Sequence, residues 1–467
     1  MEMIKGLSEG QIEEIKRATE DILENVGFQV HHKEILHRCQ KAGAKVNDGN
    51  VRIPAPLLRE LLAQVPSFYS IASCDGTEHR IGGENQYCQA IVTDPWIIDY
   101  QTRQPRRPCL QDIRNHTIIA QKLERVVALS RMDFPVIDIP EPLSSLRALE
   151  EFFLHNHKHI LACVTSLESL QQYLDIGRIL LQGKELRKSR LMGVAVGVVS
   201  PLVITELNAK LLLSACDYNF EVIPTICPMA GTTAPYSLAS TLLIGNTENL
   251  LVAALTQIVN PGNPFLYVFG PSVSNMRSGH DMYYTLDKVL WKVAGVQLGR
   301  SYNLPVAAEC GGTMTCRYDQ QNGAEGMLFM LSSFASGANL LCGIGSCYNA
   351  VGMSAEMMLV QTAWLEAAKF LTKGINIDEL HLGVENIKKA GPGGSFLTDD
   401  LTLNLLRGGE FFSNDLFDFS GDFGKGPSLL EQAHQKTEDL ISKFKSPLPE
   451  RVQEEIRGYF RNGKGII

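Results

Sequence analysis

The chain has 467 residues, enough to bury a large hydrophobic core, and its 45% hydrophobic and 20% charged content is typical of globular proteins. A formal net charge of −8 disfavours nucleic acid or an anionic membrane surface as the partner. No run of about 18 strongly apolar residues is present, so we expect no membrane-spanning helix.

Residues 1–85 predict an N-terminal helical segment. Ser8 and Gln11 have the spacing of a capping box, and apolar residues then recur on one helical face as far as Gly27. Helical patterns over 33–42 and 55–64 follow. These patterns indicate three helices before the main domain begins.

Residues 86–380 alternate between short apolar runs and helical patterns, which predicts a (β/α)8 barrel. An open doubly wound sheet is the alternative, but no G-x-G-x-x-G follows an early strand. The eight predicted strands are 88–93, 126–132, 159–165, 191–198, 220–227, 264–270, 305–310 and 339–345.

Residues 381–467 predict a C-terminal helical extension that packs on the barrel. Ser428 and Glu431 begin one helix that reaches about Phe444, and Pro449 begins another that reaches about Phe460.

The loops after the predicted strands indicate a pocket at the carboxyl face of the barrel, where barrel enzymes place their chemistry. The stretch "ECGGT" at 309–313 marks the carboxyl end of the seventh predicted strand, and its glycines allow the backbone to approach a ligand closely. Alternatively, these glycines only make a tight turn.

Aromatic residues concentrate in the same loops, and we predict that they form a cage for a quaternary ammonium ion. Packing in loops is the alternative role. Arg277 and His280 could hold an anionic group of the same ligand, although Arg277 could equally form a surface ion pair. The predicted cage residues are Trp96, Tyr100, Phe134, Tyr236, Phe269 and Tyr348.

Several other chemistries lack their motifs. No phosphate-binding loop, G-x-S-x-G elbow or H-E-x-x-H helix is present, and we predict no metal site. His155, His157 and His159 alternate just before and into the third predicted strand and could ligate a metal, but a three-ligand cluster there would be awkward. Lys158 precedes that strand, on the wrong side for a Schiff base at the mouth. Eleven cysteines without a C-x-x-C pair favour a reducing cytoplasm.

Several separated motifs resemble the trimethylamine methyltransferase family. They include "PMAGTTAPYSLASTLLIGNTENLL" from residue 228, "YDQQNGAEG" from 318 and "SFLTDDLTLNLLRGGEF" from 395. Residues 313–318 contain only standard amino acids, so the chain resembles the branch of the family without pyrrolysine. It departs from the family at Leu401-Thr402, where a His-Thr pair is usual.

This resemblance implies transfer of a methyl group from a quaternary amine to the Co(I) of a separate corrinoid protein, with no tightly bound cofactor in this chain. Glycine betaine, which would yield dimethylglycine, is the first choice of substrate. Proline betaine, carnitine and γ-butyrobetaine are alternatives. A carboxylate near the substrate would tune its charge, and the candidate catalytic residues are Asp94, Asp319 and Glu325.

Two other functions remain open from the sequence: a betaine-binding protein without catalysis, and an unrelated barrel lyase that uses Lys158 or a divalent metal. We also expect a homo-oligomer.

Overall fold

The computed structural model describes residues 4–421, 424 and 426–461. Its centre is a parallel sheet that closes on itself. Seven strands pair in the spatial order 5-4-3-2-1-8-7, and the segment 265–267 bridges the fifth strand to the seventh through Val222–Phe265 and Tyr267–Val306. We label the barrel strands β1–β8, with 265–267 as β6. The others are Tyr87–Ile91, Val126–Met132, His159–Cys163, Met192–Gly197, Glu221–Thr225, Ala307–Glu309 and Leu340–Ile344.

One long helix follows each strand, which confirms the predicted (β/α)8 barrel. These helices, α1–α8, are Leu110–Lys122, Leu143–Leu154, Leu167–Leu180, Glu206–Asp217, Leu238–Val259, Asp287–Ser301, Gln320–Ala335 and Ala355–Lys373. A short helix, Leu186–Ser189, precedes β4.

Helix α5 has the length and apolarity of a membrane span, which the sequence analysis did not anticipate. In its most apolar window, however, 78% is buried inside the protein. It therefore serves as a core helix between the barrel and the N-terminal segment.

The N-terminal segment contains the three predicted helices, Glu9–Asp21, Lys33–Lys41 and Ala55–Ala63, with a π-helical turn at Ile22–Val26. It is not only helical, which corrects the prediction. Strands that the sequence analysis missed are Phe28–Val30, Lys45–Asn47, Asn50–Arg52, Phe68–Ala72 and Glu78–Gly82. They were missed because runs of three to five residues carry too little periodicity to be recognised.

The last two of these strands form a hairpin that closes the amino-terminal end of the barrel. Its Tyr69, Ile71 and Ile81 pack against a layer of side chains that point into the barrel. That layer comprises Leu161, Ile223, Leu266, Ala307 and Leu340.

Short strands lie in the loops at the opposite, carboxyl end, and one of them, Val203–Ile204, pairs with Phe28–Val30 of the N-terminal segment. They are Trp96–Ile98, Pro105–Arg106, Val203–Ile204, Met229–Ala230, Ser272–Ser274, Asp281–Met282, Ser346–Cys347 and Gly352–Met353.

After the barrel come helices Glu379–Leu382, Val384–Ala390, Asp400–Gly408, Leu429–Ser442 and Glu450–Arg461. Of these, Leu429–Ser442 packs against α8 and α1, and Glu450–Arg461 packs against α2 and α3. The last two correspond to the helices predicted from Ser428 and Pro449.

Candidate functional site

The upper half of the barrel interior is a hollow that opens at the carboxyl face. Side chains alternate along a strand, so residues two positions after the closed inner layer also point inward. They are Cys163, Thr225, Val268, Glu309 and Cys342. Unlike the layer below, Thr225 is exposed and the other four are only half-buried. Solvent therefore reaches the inside of the barrel from the mouth.

Glu309, the last residue of β7, is the acidic side chain among these five. The Tyr283 hydroxyl donates a 2.7 Å hydrogen bond to its Oε1, and Lys288 Nζ lies 2.9 Å from its Oε2. Burial opposes ionisation of Glu309, but Lys288, Lys292 and Tyr283 outweigh this effect and lower its pKa. The hollow thus contains a carboxylate.

Two lysines from successive turns of α6 lie behind this carboxylate. Lys288 is fully buried, and its Nζ is 2.8 Å from the centroid of the Tyr283 ring. Lys292 Nζ lies 3.9 Å from the centroid of the Phe329 ring. Burial is the main reason why the pKa of Lys292 falls to about 7, although Glu309 acts in the opposite direction.

Two glycines at strand ends make room for a pair of tyrosines. A Cβ at Gly270 would lie 2.0 Å from the Tyr283 hydroxyl oxygen, and a Cβ at Gly312 would lie 2.1 Å from the Tyr284 ring. Gly312 also has a positive φ of 109°, which disfavours other residues. Gly312 of "ECGGT" therefore makes room for the Tyr284 ring, and Gly270 makes room for Tyr283.

Asn349, in the loop after β8, joins three of the mouth loops. Its side chain accepts a 2.6 Å hydrogen bond from the Tyr283 backbone N–H and donates one of 2.6 Å to the Asp281 carbonyl. Its own N–H donates to the Thr313 carbonyl at 2.8 Å. These contacts fix the position of Tyr283 above Glu309.

The three predicted carboxylates lie in different surroundings. Asp94 is buried with an unpaired Oδ2, and burial raises its pKa well above the usual range. Asp319 caps α7 by accepting from the N–H groups of Gln321 and Asn322. Glu325 accepts a 2.8 Å hydrogen bond from the Met314 N–H and so holds the loop after β7. None of the three shares the hydrogen bonds or the ion pair described for Glu309.

The structure does not assemble the predicted aromatic cage. Phe269 points out of the barrel, which corrects its prediction: its ring packs where Cβ atoms at Gly245 and Gly295 would be, 2.4 and 2.9 Å away. The Tyr100 ring stacks on His434 with the centroids 3.6 Å apart. The Trp96 ring is covered by the Arg107 guanidinium at 3.9 Å.

The other predicted binding residues lie in the loops around the mouth. Phe134 and Tyr348 are half-buried in the loops after β2 and β8. Tyr236 is 66% exposed. Arg277 and His280 are exposed in the turn between the strands Ser272–Ser274 and Asp281–Met282.

The histidines and Lys158 show no sign of a metal or Schiff-base site at the mouth. No group of three metal-ligating side chains occurs in the described part of the chain. His159 Nε2 lies 3.0 Å from Glu221 Oε1, below the hollow. Lys158 Nζ donates to the carbonyls of Ala120 and Leu123, near the end of α1 that lies away from the mouth.

The sequence did not predict five of these site residues, which are Glu309, Lys288, Lys292, Tyr283 and Tyr284. A signal existed for Glu309, because it is a charged residue near the carboxyl end of the predicted strand 305–310, where barrel enzymes place their chemistry. The lysines were harder to find, since charged residues at i and i+4 usually indicate the solvent face of a helix.

A family model and curated relatives match nearly the whole chain. A model of the trimethylamine methyltransferase (MTTB) family matches residues 1–465. The glycine betaine methyltransferase of Desulfitobacterium hafniense is 26% identical over 468 residues, which cover 98% of this chain and 97% of that protein. The proline betaine:corrinoid methyltransferase of Eubacterium limosum is 23% identical, with 93% and 92% covered. The monomethylamine methyltransferase crystal structure from Methanosarcina barkeri covers 92% of both chains at a TM-score of 0.48 and 14% identity.

Proposed function

We propose that this chain, which belongs to the trimethylamine methyltransferase family, transfers a methyl group from a quaternary amine to the Co(I) of a partner corrinoid protein. The observation that carries the proposal is the Glu309 carboxylate inside an accessible hollow. A quaternary ammonium has no N–H to donate, so charge and ring faces must hold it. Glu309 supplies the charge, and the face of the Tyr283 ring that Lys288 does not cover would supply the ring contact.

Glycine betaine is the substrate we favour, because a relative named for it aligns over 98% of this chain. The trimethylammonium group would lie against Glu309 in the hollow. Its carboxylate would point towards the mouth, where Arg277 and His280 belong to a loop tied to Asn349. Proline betaine, carnitine and γ-butyrobetaine share the same charged groups and differ in size.

The reaction breaks an N–CH3 bond and leaves both bonding electrons on nitrogen. The methyl group passes to the cobalt, and a neutral tertiary amine departs. Positive charge on nitrogen therefore decreases in the transition state, and a site that bound the cation too strongly would slow the reaction. Lys288 pairs with Glu309 at 2.9 Å and so weakens the attraction of the carboxylate for the ammonium group. The walls of the hollow hold the methyl group in line.

The corrinoid partner would dock on the rim of the mouth. Large apolar side chains are exposed in the loops after β2, β4, β5 and β6, on one face of the barrel. A Cβ at Gly231 would lie 2.7 Å from Met276 Sδ and 3.0 Å from Tyr236 Cδ2. The two side chains therefore lie side by side, and two of these loops form a continuous surface. The exposed side chains are Ile137, Val199, Tyr236, Leu238, Met276 and Leu286.

A cobalamin absorbance assay tests the proposal. The purified chain, a reduced corrinoid protein and glycine betaine should give methyl-Co(III) and one equivalent of dimethylglycine, while the chain and glycine betaine alone should give neither. Failure of glycine betaine, proline betaine, carnitine and γ-butyrobetaine to methylate the reduced partner would refute the proposed reaction.

A further inference from the structure

Residues 374–411, here called the arm, leave the barrel after α8 and return beside it. The Phe412 ring packs on Phe370 in the last turns of α8, with the centroids 5.7 Å apart. Helices of a (β/α)8 barrel run antiparallel to the strands, so α8 ends at the face opposite the mouth. Both ends of the arm therefore lie away from the proposed active site.

The arm exposes an unusual amount of apolar surface. Among the described residues, 26 large hydrophobic side chains are exposed, and 11 of them belong to the arm. Its three helices contain no buried residue. The exposed side chains are Ile375, Ile377, Leu380, Leu382, Val384, Ile387, Phe396, Leu397, Leu403, Leu406 and Phe411.

Polar contacts within the arm give it a defined shape. Asn386 donates a 2.8 Å hydrogen bond to Asp399, and His381 lies 2.6 Å from Asp378 and 3.5 Å from Glu410. The three helices have 4, 7 and 9 residues, and isolated helices shorter than about 12 residues are marginal in water. The arm thus needs packing that its own helices do not supply.

We infer that a second copy of this chain covers the arm. Burying its 11 exposed apolar side chains would remove on the order of 1,000 Å² from water per chain. Stable interfaces bury about 800 Å² per partner, and permanent homodimers bury more and are more apolar. The arm contains both acidic residues, Asp378 and Glu379, and basic residues, Lys388 and Lys389. Its charge therefore does not favour a strongly acidic or a strongly basic partner.

The corrinoid partner is a poorer occupant of this surface. It must present its cobalt at the mouth and then leave, and between encounters the arm would again be exposed. A second copy remains bound throughout the life of the protein. The arm would make this contact whatever reaction the barrel catalyses.

Sedimentation velocity and light scattering on the full chain test the inference. We expect a dimer or a larger closed assembly at micromolar concentration. The double variant Leu397→Glu/Leu406→Glu, at side chains 84% and 73% exposed, should raise the dissociation constant at least 100-fold and give monomers. Circular dichroism should show that the barrel of the variant remains folded.

Val26→Glu is the matched control, because Val26 is an apolar side chain 56% exposed outside the arm, and this variant should assemble like the wild type. A photocrosslinking residue at position 397 gives a second readout that does not depend on a destabilising change, and it should join two copies of the chain. A monomeric wild type, an unchanged assembly of the double variant, or crosslinks only within one chain would overturn the inference.

Discussion

At Glu309, burial favours the neutral acid, whereas the neighbouring ammonium and phenol groups favour the carboxylate. The carboxylate prevails, so the hollow contains a negative charge that is already hydrogen-bonded and held in place. A cation that enters the hollow finds this charge preorganised and need not reorient it.

Glu309→Gln should raise the dissociation constant of glycine betaine about 10- to 100-fold, because about 1–3 kcal/mol of charge attraction is lost. The single variant also leaves buried Lys288 without its ion-pair partner, which threatens folding. Calorimetric titration of the variant gives the affinity, and its thermal midpoint reports the stability.

The double variant Glu309→Gln/Lys288→Met controls for this stability effect, because it removes both charges together. It should fold better than Glu309→Gln and still bind betaine weakly. Wild-type affinity in the double variant would exclude Glu309 as the ligand of the ammonium group.

Lys292 should make betaine binding depend on pH. The pKa of this lysine is about 7, mainly through burial, so its positive charge is lost as the pH rises through neutrality. The carboxylate is then less compensated, and betaine affinity should increase about 3- to 10-fold between pH 6 and 8. In Lys292→Met the affinity should vary little over this range. An identical pH profile in the two proteins would show that Lys292 does not act on the site.

The same lysine should affect stability in a definite direction. The unfolded chain keeps this proton up to about pH 10.5 and the folded chain only to about 7, so the contribution of Lys292 to stability rises with pH between these values. Below about pH 7 the folded protein bears the full cost of burying the charged Lys292. Lys292→Met should therefore melt at least about 2 °C higher than the wild type at pH 6, and the difference should shrink towards pH 10.

Among the elements, the ends of β6 and β7 position the tyrosines above the carboxylate. Gly270→Ala should displace Tyr283, because the new Cβ would lie 2.0 Å from its hydroxyl oxygen. We expect a loss of about 1–3 kcal/mol in stability and weaker betaine binding. Gly270→Ala/Tyr283→Phe removes the clashing oxygen and should recover part of the stability but not the hydrogen bond to Glu309. Equal stability of both variants would contradict this packing.

The sequence predicted the elements better than the direction of individual side chains. Eight apolar runs, each followed by a helical pattern, were enough to predict the barrel, because parallel strands buried on both sides are apolar throughout. That same property conceals which residues point inward. Phe269 follows the inward-facing Val268 and therefore faces the helices, where Gly245 and Gly295 leave space for its ring. Glu309, in contrast, points into the barrel, and it was missed as a site residue.

Contacts with neighbouring arginines explain why two other predicted cage rings do not form a cage. Tyr100 and Trp96 were predicted as cage rings, but positive charges from the same chain already lie on them: Arg103 is 4.2 Å from Tyr100, and Arg107 is 3.9 Å from Trp96. The stretch "RQPRRP" at 103–108 supplies these arginines and begins three residues after Tyr100 and seven after Trp96. Its role became evident only when the hairpin of Trp96–Ile98 and Pro105–Arg106 brought them together.

For the whole molecule, the two ends of the barrel serve different purposes. The hairpin Phe68–Gly82 closes the lower end, while the upper end remains open and has an apolar rim. Both ends of the arm lie at the face opposite the rim, so we expect that assembly of copies and docking of the corrinoid partner do not compete for the same surface.

Tyr236→Glu/Met276→Glu should separate docking from substrate binding. A charged pair on the rim should raise the KM for the corrinoid protein about 10-fold or more, because it disrupts an apolar contact. The affinity for glycine betaine, measured without the partner, should remain unchanged. Val26→Glu is again the control, because Val26 is an exposed apolar side chain that does not belong to the rim. A normal KM for the partner in the double variant would place docking elsewhere.

The most direct test of a charge-selective hollow compares glycine betaine with 3,3-dimethylbutyrate, in which a neutral carbon replaces the ammonium nitrogen. Both ligands have the same shape and the same carboxylate, so calorimetric titration of the wild-type chain isolates the positive charge. We predict that glycine betaine binds at least about 10-fold more tightly, and that Glu309→Gln/Lys288→Met removes most of this preference. Equal affinity of the wild type for the two ligands would contradict the assignment of the hollow to a quaternary amine.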